Sequence, residues 1–185
     1  QYLIERASSE SGRVFVFAVQ EDLSVFPSDV RYKLICDGSS RLPNVTVIPG
    51  GRYVVSSLTF PSYFTKDTEF ADAYSAMDIE IFLQHIAPAL KITKRYVGTE
   101  PFSPVTEIYN QTMKERLPRS GVEVAEIPRL EKSGAAISAS SVRELLSEGN
   151  VEAVKELVPE STYRYLTSDE ARPILDRLKR EHTQC

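Results

Sequence analysis

Short apolar runs alternate with amphipathic stretches along most of this chain. Val14 to Val19, Val-Phe-Val-Phe-Ala-Val, is continuously apolar between polar flanks, the pattern of a strand covered on both faces in a parallel sheet. Val45 to Ile48, stopped by Pro49-Gly50-Gly51, then Ile92 to Val97 and Val122 to Ile127, predict three further strands. Tyr2 to Ala7 reads as the tail of a helix. Ser28 and Asp29 cap a second one reaching Cys36, where Asp37-Gly38 ends it. Ile79, Phe82, Leu83 and Ile86 recur at i, i+3, i+4 and i+7 and predict a helix from about Ala73 to Leu90. Ser103-Pro104 supplies an N-cap and first helical position for a helix to about Arg116. Val151 to Leu157 and Ser161 to Leu166 make two small helices around Val158-Pro159, and a charged helix beginning or broken near Pro173 closes the chain. Tyr53 to Leu58 reads as extended, and the aromatic loop from Thr59 to Asp67 follows no period. Strands alternating with helices define an α/β domain with a mostly parallel sheet. Ligands in such sheets bind beyond the carboxyl ends of strands, so Gly98 to Pro101 and Ser138 to Arg143 are expected to share one crevice.

The segment Ile137 to Leu146, Ile-Ser-Ala-Ser-Ser-Val-Arg-Glu-Leu-Leu, carries the most chemistry. Val142, Leu145 and Leu146 form its apolar face, and Ser141 with Glu144 has the spacing of a capping box. Gly134 and Ser138 leave the approach to it polar and flexible. Arg143 falls in the expected first turn, where a cation opposes the helix dipole unless an anion sits there. Backbone N–H groups, serine hydroxyls and a guanidinium together make an anion site; an ordinary capped helix with a solvated arginine uses the same residues.

Composition narrows the classes. The 185 residues fit one domain with a substantial core, 42% hydrophobic and 26% charged, with mean hydropathy −0.23. A net charge of −4 offers no electrostatic case for nucleic acid or an anionic membrane, and no apolar run approaches the about 20 residues of a membrane span. Cys36 and Cys185 make neither a disulfide framework nor a metal-ligand spacing, so no metal site and a reducing, cytoplasmic setting are expected.

Ile-Ser-Ala-Ser-Ser-Val-Arg fits the I-S-x-S/T-x-x-R signature of the nucleotidyltransferase superfamily. More specifically, the chain resembles the carboxy-terminal catalytic domain of the citrate lyase ligase family. The likeness runs through Glu21-Asp22-Leu23-Ser24-Val25-Phe26, Thr59-Phe60-Pro61-Ser62-Tyr63-Phe64, and Lys94-Arg95-Tyr96-Val97-Gly98-Thr99-Glu100-Pro101. It continues through Pro104-Val105-Thr106, Tyr109-Asn110, Ile127-Pro128-Arg129, the serine motif and Leu157 to Tyr163. The resemblance implies a Rossmann-like nucleotidyltransferase fold over residues 1–167, with 168–185 as a further charged helix. It also implies binding of ATP with Mg²⁺, formation of acetyl-AMP from acetate, and transfer of the acetyl group to the prosthetic-group thiol of the citrate lyase acyl carrier subunit. Carried over residue by residue, it assigns Ser138 and Arg143 to catalysis, and Ser138, Ser140, Ser141 and Arg143 to the nucleotide; Gly98, Thr99 and Glu100, which follow a buried strand, either meet the nucleotide as well or form a plain strand-to-helix turn. The superfamily's H-x-G-H motif belongs just before Tyr2. His85 and His182 are the only histidines and stand in no such context, so the native protein is expected to be longer and to supply both motif and first strand. Two other readings stay open: a small-molecule adenylyl- or cytidylyltransferase, and a catalytically inactive domain binding nucleotide or a carrier protein.

Further residues carry two readings each. Asp22, Ser24 and Arg31 line either the crevice or a solvated surface, and Thr59 to Phe64 either wall an acid or thiol pocket or pack the core. Lys66 and Arg95 reach phosphates or, more commonly, solvent. His85 reads as structural, Cys36 as a small buried hydrophobe, Tyr163 and Tyr165 as packing for the last helices, and the charges from Asp169 to His182 as a solvated face.

Overall fold

Four strands form where the apolar runs predict them and pair in two short parallel ladders. The computed structural model describes residues 1–21, 24–132 and 135–183; Asp22, Leu23, Gly134 and Cys185 lie outside the described residues. β1 (Val14–Ala18) pairs with β2 (Val45–Pro49). The Val14 N–H donates to the Asn44 carbonyl at one end and the Gly50 N–H to the Ala18 carbonyl at the other, both at 2.8 Å, so the two strands run the same way. Gly50 is obligatory there: a Cβ would sit 2.9 Å from the Ala18 carbonyl oxygen. β3 (Lys94–Gly98) and β4 (Glu123–Ile127) are parallel in the register Lys94 to Glu123 through Gly98 to Ile127. The helices are α1 (Tyr2–Glu10), α2 (Ser28–Ser39), α3 (Ser62–Thr65), α4 (Ala71–Ile81), α5 (Ala87–Leu90), α6 (Pro104–Arg116), α7 (Ala139–Ser147), α8 (Glu160–Leu166) and α9 (Arg172–Thr183). None of the described helices is long and apolar enough to cross a membrane.

The chain divides into two units, Gln1–Val16 with Asp22–Val47 and Arg129–Cys185, and Phe17–Glu21 with Ile48–Pro128. In the first, Leu146 of α7, Tyr165 and Leu166 of α8 and Leu178 of α9 are buried together, with Val30 and Leu34 of α2 packed against them. In the second, Phe60, Ile79, Val105, Met113 and Leu117 form the core, backed by Val97 of β3. Each fully buried Phe or Ile side chain there contributes about 1.5–3 kcal/mol relative to exposure.

Several expectations change in detail. β1 is half-buried except at Ala18, because a strand with one ladder partner is not enclosed as a central strand would be. Tyr53 to Leu58 is a series of turns and bends, not an extended piece, with Val55 in the left-handed region at φ 48°. The aromatic loop contains the single turn α3. The long amphipathic helix begins at Ala71 and opens into a π segment, Phe82–Ile86, before α5. Pro88 has no N–H to return to the carbonyl one turn back, which fits a widened turn at this point. Only Glu152–Val154 of the predicted Val151–Leu157 helix is helical, as a 3₁₀ turn. A small antiparallel hairpin, β5 (Glu131–Lys132) with β6 (Ala135–Ala136), precedes α7 and was not expected.

Candidate functional site

The serine segment lies in the first unit. The Ile137 N–H donates to the Leu130 carbonyl at 2.9 Å, which keeps the chain extended as far as Ser138 (φ −127°, ψ 154°). The helix then starts at once, with Ser138 as N-cap. Its Oγ accepts the Ser141 N–H at 3.0 Å, while the Ser138 N–H donates to the Ser141 Oγ at 3.3 Å. This reciprocal pair is a capping box one turn earlier than the expected Ser141–Glu144 box; the hairpin, not the sequence spacing, chooses which serine caps.

The earlier start moves Arg143 to the fifth helical position, beyond the first turn. The expected conflict between its charge and the helix dipole is therefore weaker than the sequence implies. Its side chain leans toward the helix start, as helical side chains do, and Nη2 donates to the exposed Ser140 Oγ at 3.2 Å. The first-turn N–H groups of Ala139 and Ser140 have no carbonyl one turn back inside the helix. Ser140, Arg143 and these N–H groups form a donor-rich rim, whereas the Ser138 and Ser141 hydroxyls are engaged in the cap. Val142, Leu145 and Leu146 turn the other face of α7 into the core.

The second unit holds Gly98, Thr99 and Glu100 at the carboxyl end of β3. The Gly98 carbonyl accepts from the Asn110 amide at 3.0 Å, and the Thr99 N–H donates to the Ile127 carbonyl at 3.0 Å, extending the ladder past the strand. Glu100 Oε1 accepts the N–H groups of Phe102 and Ser103 at 2.9 and 3.1 Å. Ser103 Oγ in turn caps α6 through the Thr106 N–H, as the Ser103-Pro104 pair predicts. This is a strongly organised strand-to-helix turn with one half-buried carboxylate. Gly98–Glu100 and Ser138–Arg143 thus belong to different units, each ordered by its own local bonds.

The strongest polar cluster in the second unit was missed by sequence reasoning. Asp78, only 2% exposed, accepts the Val55 N–H at 2.9 Å and the Thr59 hydroxyl at 2.7 Å on Oδ1, and the Tyr109 hydroxyl at 2.6 Å on Oδ2. Arg95 Nη2 donates to the Tyr109 oxygen at 2.9 Å, and the guanidinium lies 4.7 Å from the Phe82 ring centroid. Burial above all holds the Tyr109 phenol well above its usual range; the charge of Asp78 raises it further, and Arg95 opposes the shift. A carboxylate and a guanidinium are joined here through a neutral phenol. A signal existed. Asp78 falls on the same helical face as Ala71, Ser75, Ile79 and Phe82, and a charge on a buried face needs partners.

The remaining candidates resolve toward structure. Thr59 and Phe60 are buried, and Phe60 stacks 4.9 Å from Tyr109 and 5.8 Å from Tyr63, so this aromatic stretch packs the core rather than walling a pocket. Arg95 is half-buried and held in the network through Tyr109. Lys66 Nζ donates to the Tyr63 carbonyl at 2.9 Å and lies over the Tyr63 ring. His85 and His182 are exposed, Cys36 is half-buried, Ser24 and Arg31 are half-buried, and Tyr165 of α8 is buried. Among the described residues, no group of three or more His, Cys, Asp or Glu is placed to hold a metal ion. Two open hollows, of about 470 and 710 Å³, are lined by other residues of the first unit, such as Arg13 and Thr46 or Lys33 and Arg164.

Parallel βα units, a capped I-S-x-S-S-x-R helix and a glycine turn ending a strand define an α/β domain of the nucleotidyltransferase type. The citrate lyase ligase C-terminal domain matches residues 1–166, and the chain belongs to that family. It is 43% identical over 171 residues to [citrate [pro-3S]-lyase] ligase of Klebsiella pneumoniae, covering 90% of this chain and 50% of that protein. The enzymes of the same name from Escherichia coli and Haemophilus influenzae are 40% and 41% identical over 172 residues. The chain spans about half the length of the curated relatives it matches. No solved structure matches it.

Proposed function

We propose that this chain is the catalytic part of a ligase that activates acetate with ATP and acetylates the prosthetic-group thiol on the acyl carrier subunit of citrate lyase. The observation that supports this most is that the family match spans the whole I-S-x-S-S-x-R segment, and that this segment gathers Ser140, Arg143 and the first-turn N–H groups at a capped helix start. The relatives' name points to citrate lyase as the target.

In the reaction, an acetate oxygen bonds to the α-phosphorus of ATP as the bond to pyrophosphate breaks. The carrier thiolate then attacks the acetyl carbonyl and AMP leaves. Charge grows on phosphate oxygens in the first step, so fixed donors act mainly by electrostatic stabilisation. Arg143 supplies a cation, and Ser140 with the first-turn N–H groups supplies neutral donors. Ser138 and Ser141 hold the helix start that aims them. Gly98, Thr99 and Glu100 receive the nucleoside, with Gly98 permitting close backbone approach and Glu100 accepting from hydroxyl or amino groups.

Mg²⁺, arriving with the triphosphate, would neutralise charge on the leaving pyrophosphate. ATP and a reduced thiol suit the cytoplasm. ATP–pyrophosphate exchange by the full-length protein, run acid by acid, tests the proposal. Exchange that depends on acetate is expected. Nucleotide binding without exchange on any acid would convert the reading to a binding domain.

A further inference from the structure

We propose that Asn110 is a positioning residue for the nucleotide: it fixes the Gly98 carbonyl, so that the open side of Gly98 takes the nucleoside of ATP directly against the backbone. The proposal rests on the nucleotide-binding part of the reading above and names the residue that shapes that site. Every residue it uses lies in the second unit.

Gly98 has no structural need to be glycine. It is the last residue of β3, and its φ lies outside the left-handed region, so its backbone does not call for one. Nor does the protein crowd it: beyond its chain neighbours, a Cβ there would meet no atom within 4 Å. Gly50, just past the end of β2, is the reverse case, because its Cβ would press on the Ala18 carbonyl. Gly98 is half-buried and ends a parallel strand, the place where α/β sheets admit ligands, and glycine there lets another group approach the backbone closely. Glu100, two residues on, is an acceptor for the hydroxyl or amino groups of a nucleoside.

Asn110 fixes this point from α6. Peptide groups of successive residues in a strand point to opposite edges, and both the Thr93 carbonyl and the Thr99 N–H bond to β4. The Gly98 carbonyl therefore turns away from β4, and Asn110 Nδ2 donates to it at 3.0 Å. A carbonyl only accepts, so this bond also decides which way round the amide lies. Asn110 is 5% exposed, yet its Oδ1 has no partner among the described residues. A purely structural asparagine so deeply buried would have both ends bonded; here one acceptor is left beside the turn for a ligand N–H or O–H.

The test is calorimetric titration of ATP into full-length wild type, Asn110→Leu and Gly98→Ala, with melting curves and acetate-dependent ATP–pyrophosphate exchange. Leucine keeps the approximate shape of asparagine without its donor. Gly98→Ala adds a methyl group into open space, so it should melt as wild type does. Each folded variant should bind ATP about tenfold or more weakly, and the KM for ATP should rise to match while kcat and the KM for acetate stay within about threefold. A structural asparagine would lower the melting temperature and leave the ATP affinity of the folded variant alone. If Asn110→Leu does not fold, Asn110→Ala replaces it with the same expectation. A folded variant at either position that binds ATP as wild type does, or a Gly98→Ala protein that melts well below it, overturns the assignment. Wild type that binds ATP without acid-dependent exchange overturns the ligase reading and leaves this assignment standing. Wild type that binds no ATP overturns both.

Discussion

Two polar clusters in this chain are built on opposite plans. The α7 cluster draws every member from six consecutive residues, lies partly exposed, and spends two of its three hydroxyls on capping. The Asp78 cluster gathers residues up to 54 positions apart, Val55 and Tyr109 at its extremes, and three of its carboxylate bonds lie in the buried core. A local, solvated cluster can lose a member at little cost in stability, so its residues are available for ligand chemistry. A buried network cannot, because each deletion leaves the other partners unsatisfied in a low-dielectric site. The difference predicts that substitutions in the two clusters fail in different assays.

Asp78→Ala should have the largest effect of all. It strands the Val55 N–H and the Thr59 and Tyr109 hydroxyls, and leaves Arg95 without its carboxylate, a loss of about 3–5 kcal/mol. Denaturant unfolding measures this; a loss below about 1 kcal/mol would show that the network is dispensable.

Arg143→Ala should do the reverse. Its guanidinium donates to an exposed hydroxyl at 3.2 Å, so melting should barely change. Adenylate formation in the full-length protein should slow by roughly ten- to a thousandfold, about 1.4–4 kcal/mol of charge-assisted bonding, with acetate dependence little altered. A folded variant with the wild-type rate removes Arg143 from the mechanism.

Tyr109→Phe comes next, at about 1–3 kcal/mol, since it removes the O–H to Asp78 and leaves an Arg95 donor without its acceptor. The phenol also gives a pH signature. Its folded pKa is raised, chiefly by burial, so the folded state keeps a proton that the unfolded chain releases near pH 10. The corresponding stability is fully present below about pH 10 and is lost as pH rises above it. Unfolding free energy should therefore fall in alkali for the wild type and fall less steeply for Tyr109→Phe. Some slope should remain, because Tyr163 and Tyr165 shift in the same direction. Equal slopes in the two proteins would mean that Tyr109 is not the group responsible.

The same contrast explains what could be read before any coordinates. Val14 to Val19 and Ser103-Pro104 declare themselves, because an apolar run and an N-cap are set by neighbouring residues. So was the helical start within Ile137 to Leu146, although three serines in four positions left the capping residue open until the hairpin bond from Ile137 to Leu130 fixed it. The Asp78 network was half legible. Helical period places the aspartate on a buried face, but nothing in the sequence says that Thr59 and Tyr109 meet it, since their pairing is decided by how α4, α6 and the β2 loop pack. Val55 was illegible for the same reason: Val-Val favours extended chain locally, and a distant carboxylate overrides that preference.

The smallest effects separate capping from ligand binding within α7. Ser138 Oγ accepts the Ser141 N–H at 3.0 Å, so Ser138→Ala should cost about 1 kcal/mol of stability, the usual loss of an N-cap. Ser140 is exposed, and its hydroxyl accepts from the Arg143 guanidinium at 3.2 Å. Alanine is the better helix former, so Ser140→Ala should leave stability within about 0.5 kcal/mol of wild type or slightly above it. If the rim of α7 receives phosphate oxygens, the same change removes one neutral donor and one restraint on Arg143. The ATP concentration for half-maximal exchange in the full-length protein should then rise several-fold, about 0.5–1.5 kcal/mol, with the acetate requirement unchanged. Melting curves and ATP titrations on the two variants make the comparison. A Ser140→Ala protein that matches wild type in both would confine the function of this serine to the helix surface, and Arg143 would have to act without it.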